Sequence, residues 1–306
     1  MQEIFSGLVT LNERLEVVPD MATWEVSADG TVYTFHLQDD IVFHDGKPVT
    51  AEDVKFSIER ACDPRLESPV AGAYLGDIIG VREKLAGQAE EVRGVQVLDS
   101  RTVQITIDSP KAYFLAKLTY PTAYVVDREN VEKGTDWFRH PNGTGPFRLV
   151  KWDDEEIVLA AHERFYGGRP RLDKVVFRLG GGPAVSQYER GELDVAPVGP
   201  YDIDRVRDPT SPLHEELAQT ATLDVWYIGF NTQTPPFNDV FVRRAFAYAT
   251  DKRGIADILF QKTVFPARGI LPPGMPGYNP DLEAVSYTHL RAHETRHDLV
   301  CRLLLE

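Results

Sequence analysis

The motif with the most specific chemical content lies near the C-terminus, where His293-Glu294-Thr295-Arg296-His297 has the spacing of a zinc site. On a helix, residues four apart share a face. His293 and His297 could then ligate zinc together while Glu294 serves as general base on a metal-bound water. His289 extends the same row, which is enough to trap a metal adventitiously. Only nine residues follow His297, too few to supply a downstream third ligand, so a zinc hydrolase is the disfavoured reading and no metal is expected. His44-Asp45 suggests an acid–base pair, but neighbours on a strand or turn point apart, and no Ser in a G-x-S-x-G setting accompanies them. His36 and His44 therefore read as structural or surface groups. Gly180-Gly181-Gly182-Pro183 lacks the Lys-Ser/Thr of a phosphate loop and reads as a flexible turn. Asp153-Asp154-Glu155-Glu156 lacks the spaced ligands of a calcium loop and reads as a solvated hairpin turn. No catalytic residue is nominated, and no cofactor is expected.

The elements that must carry any site are clearest in residues 31–63. Tyr33, Phe35 and Leu37 alternate with Thr34, His36 and Gln38, the period of a half-buried strand. Ile41-Val42-Phe43 is expected as a second short strand, ending in a turn with the Asp45-Gly46 signal. Thr50 precedes Ala51-Glu52-Asp53 in a capping-box pattern, its hydroxyl placed to accept from the Asp53 N–H. Val54, Ile58 and Ala61 form the apolar stripe of the helix, and Asp63-Pro64 stops it.

Farther on, residues 92–97 and 102–107 predict a hairpin across Asp99-Ser100. Residues 112–118 predict a short helix, 123–126 a strand and 129–133 a polar helix. Strands are expected at 147–150, 157–159 and 175–179, and a helix at 184–190 closed by Gly191. Residues 193–195 and 225–230 read as strands, the latter buried. Asn238 is the expected cap of a helix over 240–250 whose Val242, Ala245, Phe246 and Ala249 face inward. Strands alternating with helices point to an α/β architecture.

Composition narrows the partners. The 306 residues, 42% hydrophobic, can bury a substantial core, and the length allows one to three domains. A net charge of -14 excludes a nucleic-acid partner, which needs clustered Lys and Arg. No run approaches the roughly 20 apolar residues of a membrane span. The two cysteines, Cys62 and Cys301, make no disulfide framework.

A colinear series of short motifs carries a family resemblance. It runs through Gly7-Leu8-Val9, Val18-Pro19-Asp20, Ala22-Thr23-Trp24-Glu25 and Asp29-Gly30, then the stretch already described. It continues with Asn142-Gly143-Thr144-Gly145-Pro146-Phe147, Gly191-Glu192-Leu193-Asp194 and Phe230-Asn231-Thr232. Pro235-Pro236-Phe237-Asn238-Asp239, Val242-Arg243-Arg244-Ala245 and Tyr248-Ala249-Thr250-Asp251 complete it. Over residues 1–284 the chain resembles the family 5 extracellular solute-binding proteins, the peptide-, dipeptide- and nickel-binding components of ABC importers.

The resemblance implies an α/β fold, the two-lobed type II periplasmic-binding-protein clamshell in its large three-subdomain class. It implies residues 1–142 as a small α+β subdomain, 143–229 as part of the first α/β lobe, and 230–284 as the start of the second. Family members are exported, so Met1-Gln2-Glu3-Ile4-Phe5, with no basic or apolar leader, reads as internal to a longer gene. Residues 285–306 resemble translated sequencing-adapter read-through, and most of the third lobe is expected beyond this point.

The implied activity is non-catalytic capture of an oligopeptide or dipeptide, delivered to the importer's permease subunits, by a monomer in the periplasm or lipid-anchored at the cell surface. Within the same fold a nickel chelate, an oligosaccharide or another solute remains open. The groups that pair with peptide termini fall mainly in the third lobe. Tyr74, in a segment resembling a cleft-lining tyrosine stretch, joins Gly143, Thr144, Trp226 and Asn231 as the ligand-binding candidates within this chain.

Overall fold

The computed structural model describes residues 1–220, 222–275 and 277–282, together with Leu304 and Leu305. It divides into two compact units, Met1–Gly180 and Gly181–Glu306. The His293–His297 motif lies outside the described residues.

The first unit opens with a two-stranded hairpin, β1 (Val9–Leu11) and β2 (Val17–Pro19). Its main sheet is antiparallel and has four strands: β3 (Ala22–Val26), β4 (Val32–Leu37), β5 (Val95–Asp99) and β6 (Thr102–Thr106), in the order β3-β4-β6-β5. The alternation of β4 is observed: Tyr33, Phe35 and Leu37 are buried, Thr34 is half-buried and His36 exposed. On β6, Val103 and Ile105 face the same core. Helix α1 (Ala51–Ala61) packs against β5 and β6, burying Val54 and Ile58. Its capping box forms, with the Asp53 carboxylate accepting from the Thr50 N–H at 2.9 Å and the Thr50 hydroxyl at 2.8 Å. Short helices α2 (Ala71–Leu75), α3 (Val81–Leu85), α4 (Phe114–Lys117) and α5 (Arg128–Val131) surround this core.

A second antiparallel sheet follows in the meander β7 (Phe147–Trp152), β8 (Glu156–Ala161) and β9 (Lys174–Arg178). The acidic turn joining β7 to β8 is held by Asp153, whose Oδ1 accepts from the N–H groups of Glu155 and Glu156 at 3.0 and 2.9 Å. Phe147, Leu159 and Ala161 form a small core there, with Ile4 packed on it.

The second unit contains α6 (Ala184–Glu189), α7 (Pro200–Arg207), the two-residue strand β10 (Trp226–Tyr227) and α8 (Val240–Ala249). Gly191 follows α6 with a φ of 72°, the expected left-handed stop.

Several local expectations are corrected. Residues 41–43 make no strand: Val42 forms a single bridge to Pro48, flanked by the Val49 N–H on the Ile41 carbonyl at 3.0 Å and the Phe43 N–H on the Lys47 carbonyl at 2.8 Å, and the Asp45–Gly46 turn closes it there. Residues 123–126 are not a strand; a 3-10 turn, Pro121–Ala123, leads into an extended run held by the Val125 N–H on the Ser6 carbonyl. Residues 193–195 make no strand: Val195 is 84% exposed, and Pro197 and Pro200 follow closely. In 225–230 only two residues are strand, and Trp226, Tyr227 and Ile228 are exposed rather than buried. The cap of α8 is Asp239, whose carboxylate accepts from the Phe241 N–H at 2.7 Å, and not Asn238. Its expected inward face is not the buried one. Ala247 alone is buried, while Phe246 packs at the surface with Phe230 and Phe237, at 5.9 and 5.2 Å between ring centroids.

The two phenylalanine environments give a direct contrast. Phe35 is fully buried and Phe241 is 71% exposed. Phe35→Ala should cost about 3–5 kcal/mol of unfolding free energy, and Phe241→Ala less than about 0.5 kcal/mol, measured by urea denaturation. Equal losses at the two positions would contradict the burial described.

Candidate functional site

Tyr74 sits on α2 with its ring stacked on Tyr120, centroids 3.8 Å apart and planes within 8°. Burial is the main cause of the upward shift of the Tyr74 phenol pKa, and Tyr120 adds to it. Tyr120 in turn lines a hollow of about 490 Å³ together with Phe5, Ser6, Asp20, Tyr124 and Phe165. Aromatic rings supply broad apolar contact with polar tips, a surface suited to an extended organic ligand. Asp20 is the one carboxyl in this wall. Burial raises its pKa, opposed by the Tyr166 hydroxyl, which donates to Oδ1, and by the backbone of Gly7. The group can accept a hydrogen bond from an amide or ammonium N–H.

Thr144, next to Gly143, stands behind the same wall. The Thr144 side chain is wholly buried, and its Oγ1 accepts from the N–H of Ser6 at 3.0 Å. A Cβ on Gly143 would lie 1.9 Å from the Ile4 carbonyl oxygen, and one on Gly145 2.6 Å from that of Glu3. Glycine is required at both positions by this approach of backbone to backbone. His44 clamps the segment from the other side. Its N–H donates to the Gly143 carbonyl at 2.9 Å, and its Nδ1 accepts from the Gly143 N–H at 3.2 Å. With Nδ1 accepting, the proton of the neutral ring lies on Nε2, which donates to the Gly145 carbonyl at 3.1 Å. The partly buried ring belongs to the fold, as the sequence reading favoured.

Two of the five candidates thus back one hollow, Tyr74 through Tyr120 and Thr144 through Ser6, while Gly143 meets Ile4, which does not line it. Trp226 and Asn231 belong to the second unit. Trp226 is 65% exposed and meets Phe260 edge-on, and the Asn231 carboxamide oxygen accepts from the Gln233 N–H at 3.0 Å. Sequence reasoning missed Asp20, Tyr120, Tyr124 and Phe165. Tyr120 and Tyr124 flank one turn, Pro121–Ala123, while Asp20 and Phe165 come from distant segments, and the local signal was the aromatic residues beside Pro121.

Comparison with known proteins follows the same line. The model of the family "Bacterial extracellular solute-binding proteins, family 5 Middle" matches residues 16–294, and the chain belongs to that family. The match runs into the segment from Val285 that the sequence reading set apart. The dipeptide-binding protein of Escherichia coli is 32% identical over 292 residues, 89% of this chain and 53% of that protein. The structure of the E. coli murein tripeptide binding protein MppA superposes with a TM-score of 0.81 at 27% identity, covering 92% of this chain and 57% of that one. NikZ from Campylobacter jejuni, solved in complex with Ni(L-His), gives 0.67 at 26% identity, covering 87% and 51%. The fold is that of the type II periplasmic binding proteins, as expected, and the chain spans about half the length of these relatives.

Two outcomes test the wall. Thr144→Val removes the Oγ1 acceptor of the buried Ser6 N–H and should cost about 1–3 kcal/mol, read from urea denaturation; a neutral change would refute the anchoring role. Burial, the largest cause, lowers the His44 pKa from its ordinary 6.5 to about 4. Folded His44 therefore binds its proton less tightly than the unfolded chain does, so its contribution is complete above about pH 6.5 and is lost as pH falls through about 4. Between pH 7 and 4.5 the parent chain should lose up to about 3 kcal/mol more stability than His44→Gln. Parallel pH profiles would rule this out.

Proposed function

We propose that this chain is part of the extracytoplasmic solute-binding component of an ABC importer, capturing an oligopeptide or dipeptide and passing it to the permease subunits. The carrying observation is the family match over residues 16–294, joined by relatives named for dipeptides, oligopeptides and a murein tripeptide. The aromatic hollow of the first unit supports it. Tyr120, Tyr124 and Phe165 offer side-chain-tolerant contact, and Asp20 offers one acceptor for a backbone or terminal N–H.

In this reading residues 1–142 are a small α+β subdomain, residues 143–229 part of the first α/β lobe, and residues 230–284 the start of the second. Ligand bridging the lobes shifts the balance from open to closed forms. The protein works as a monomer in the periplasm or tethered at the cell surface, and it makes and breaks no covalent bond. No helix among the described residues is long and apolar enough to cross a membrane. A second reading, capture of a nickel chelate in the same fold, is favoured by the likeness to NikZ with its bound Ni(L-His). Among the described residues no cluster of His, Cys, Asp or Glu forms a metal site, so a metal would enter as a chelate held by organic contacts.

Calorimetric titration of the full-length natural gene product against di- and oligopeptide pools separates these readings. Saturable heat with peptides, weakened about tenfold (~1.4 kcal/mol) by Tyr120→Ala, is the expected result. No heat with any peptide, while nickel–histidine or another solute binds, overturns the peptide assignment.

A further inference from the structure

The aromatic hollow of the first unit carries charge of one sign only. Asp20 is its one carboxyl, and among the described residues no Lys, Arg or His lines it. The residue is fixed from several sides. Its N–H donates to the Leu8 carbonyl at 3.2 Å, its carbonyl accepts from the Gln38 carboxamide, and Oδ1 accepts from the Tyr166 hydroxyl. Tyr166 is itself packed on Phe165, ring centroids 4.5 Å apart. A carboxylate has about four acceptor positions. The Tyr166 hydroxyl and the Gly7 backbone take two of them, and positions remain for an incoming N–H.

The negative charge spreads along the wall. Burial is the main cause of the raised phenol pKa values of Tyr124 and Tyr166, and the Asp20 charge adds to both. No cation answers it: burial, Tyr166 and Gly7 are what act on the Asp20 carboxyl. The rings of Phe5, Tyr120, Tyr124 and Phe165 act in the same direction, because an aromatic face is electronegative and attracts a cation. Tyr74 covers one face of Tyr120 at 3.8 Å, and Tyr120 remains 38% exposed. An anionic group entering this space would meet like charge with no positive partner. An ammonium on an apolar stem would find a charge-assisted acceptor and π faces together.

We infer that this hollow selects for positive charge, taking an ammonium group of the ligand against Asp20 with its apolar stem on the aromatic rings. Asp20 is then a specificity-determining residue, favouring cationic over neutral and acidic solutes. The inference deepens the proposed function and rests on its placing ligand against this wall. The ammonium can come from a peptide amino terminus or from a lysine side chain.

The test is calorimetric titration of the full-length natural gene product at pH 7 with four probes. Leucine amide carries only an α-ammonium and Nα-acetyl-lysine amide only a side-chain ammonium; Nα-acetyl-norleucine amide is neutral and Nα-acetyl-glutamate amide anionic. One ammonium probe should bind about tenfold or more tighter than the neutral one, and the tighter of the two names the source. Asp20→Asn, with an unchanged circular dichroism spectrum, should bring that probe down to the affinity of the neutral one. Gln2→Lys, which adds a like charge at an exposed position of the lining, should also weaken it severalfold without touching Asp20. Asp154→Asn removes the same charge from an exposed turn and should change affinity less than about twofold. Equal binding of ammonium and neutral probes, or an ammonium preference that survives both Asp20→Asn and Gln2→Lys, overturns the inference. Peptide pools that bind without such a preference leave the solute assignment standing. An Asp20-dependent ammonium preference with no binding of any peptide pool overturns that assignment and keeps the site.

Discussion

The first unit depends on a close approach between two stretches of backbone. The N-terminal strip Glu3–Ser6 runs against Gly143–Phe147 with no room for a Cβ at Gly143 or Gly145. The Gly145 N–H donates to the Ile4 carbonyl at 2.9 Å, the Phe147 N–H to the Glu3 carbonyl at 2.8 Å, and the Ser6 N–H to Thr144 Oγ1 at 3.0 Å. Buried backbone donors must be partnered, and here the partners come from a chain segment about 140 residues away in sequence. The same segment distributes the constraint outward: its Gly143 carbonyl accepts from His44, its Pro146 carbonyl from the His162 N–H at 2.8 Å, while the Ser6 carbonyl holds Val125 at 3.0 Å. The large core around Phe35 and the small core around Leu159 are thereby linked within this unit by hydrogen bonds, with Ile4 packed on the small core and Tyr166 on the large one.

Polar groups around this seam continue it. The Asn142 side-chain oxygen accepts from the Asp45 N–H at 3.1 Å, and its Nδ2 donates to Asp127 at 2.9 Å. Asp127, almost wholly buried, also accepts from Lys47 Nζ at 2.8 Å, and Lys47 reaches Glu129 at 3.0 Å. Buried pairs of this kind are weak as net stabilisers, because desolvation offsets much of the attraction. Their effect is on geometry: removing one member strands the others, so the His44 turn has one position available to it.

Local signals explain what the sequence made legible. Strand β4 was readable because both of its faces are satisfied, apolar residues on the core side and polar ones toward water. Helix α1 was readable because Thr50, Asp53 and Asp63-Pro64 state its ends in three independent ways. In the second unit the strand expected at 225–230 fails because an apolar run predicts a buried strand only where something covers it. Residues 225–230 have that composition, yet Trp226, Tyr227 and Ile228 stay open among the described residues. Asn238 and Asp239 are both good caps, and composition cannot decide which of two neighbours reaches the N2 donor. The site was less legible still. Tyr74 came from a resemblance, but Tyr120 beneath it and the Asp20–Tyr166 pair, 146 residues apart, have no spacing that a linear reading can detect.

In the sequence Gly143 stands at the opening of a new unit, with Gly145 two residues on. In the structure neither has a positive φ, so conformational freedom is not what they provide. What they provide is the absence of a Cβ where a carbonyl oxygen already sits, and that makes the segment one of the least adaptable in the unit. The wall of the aromatic hollow is therefore set before any ligand arrives. Its backbone donors are satisfied internally, and an occupant would displace none of these bonds. Affinity in such a site comes from a surface whose ordering cost was met on folding.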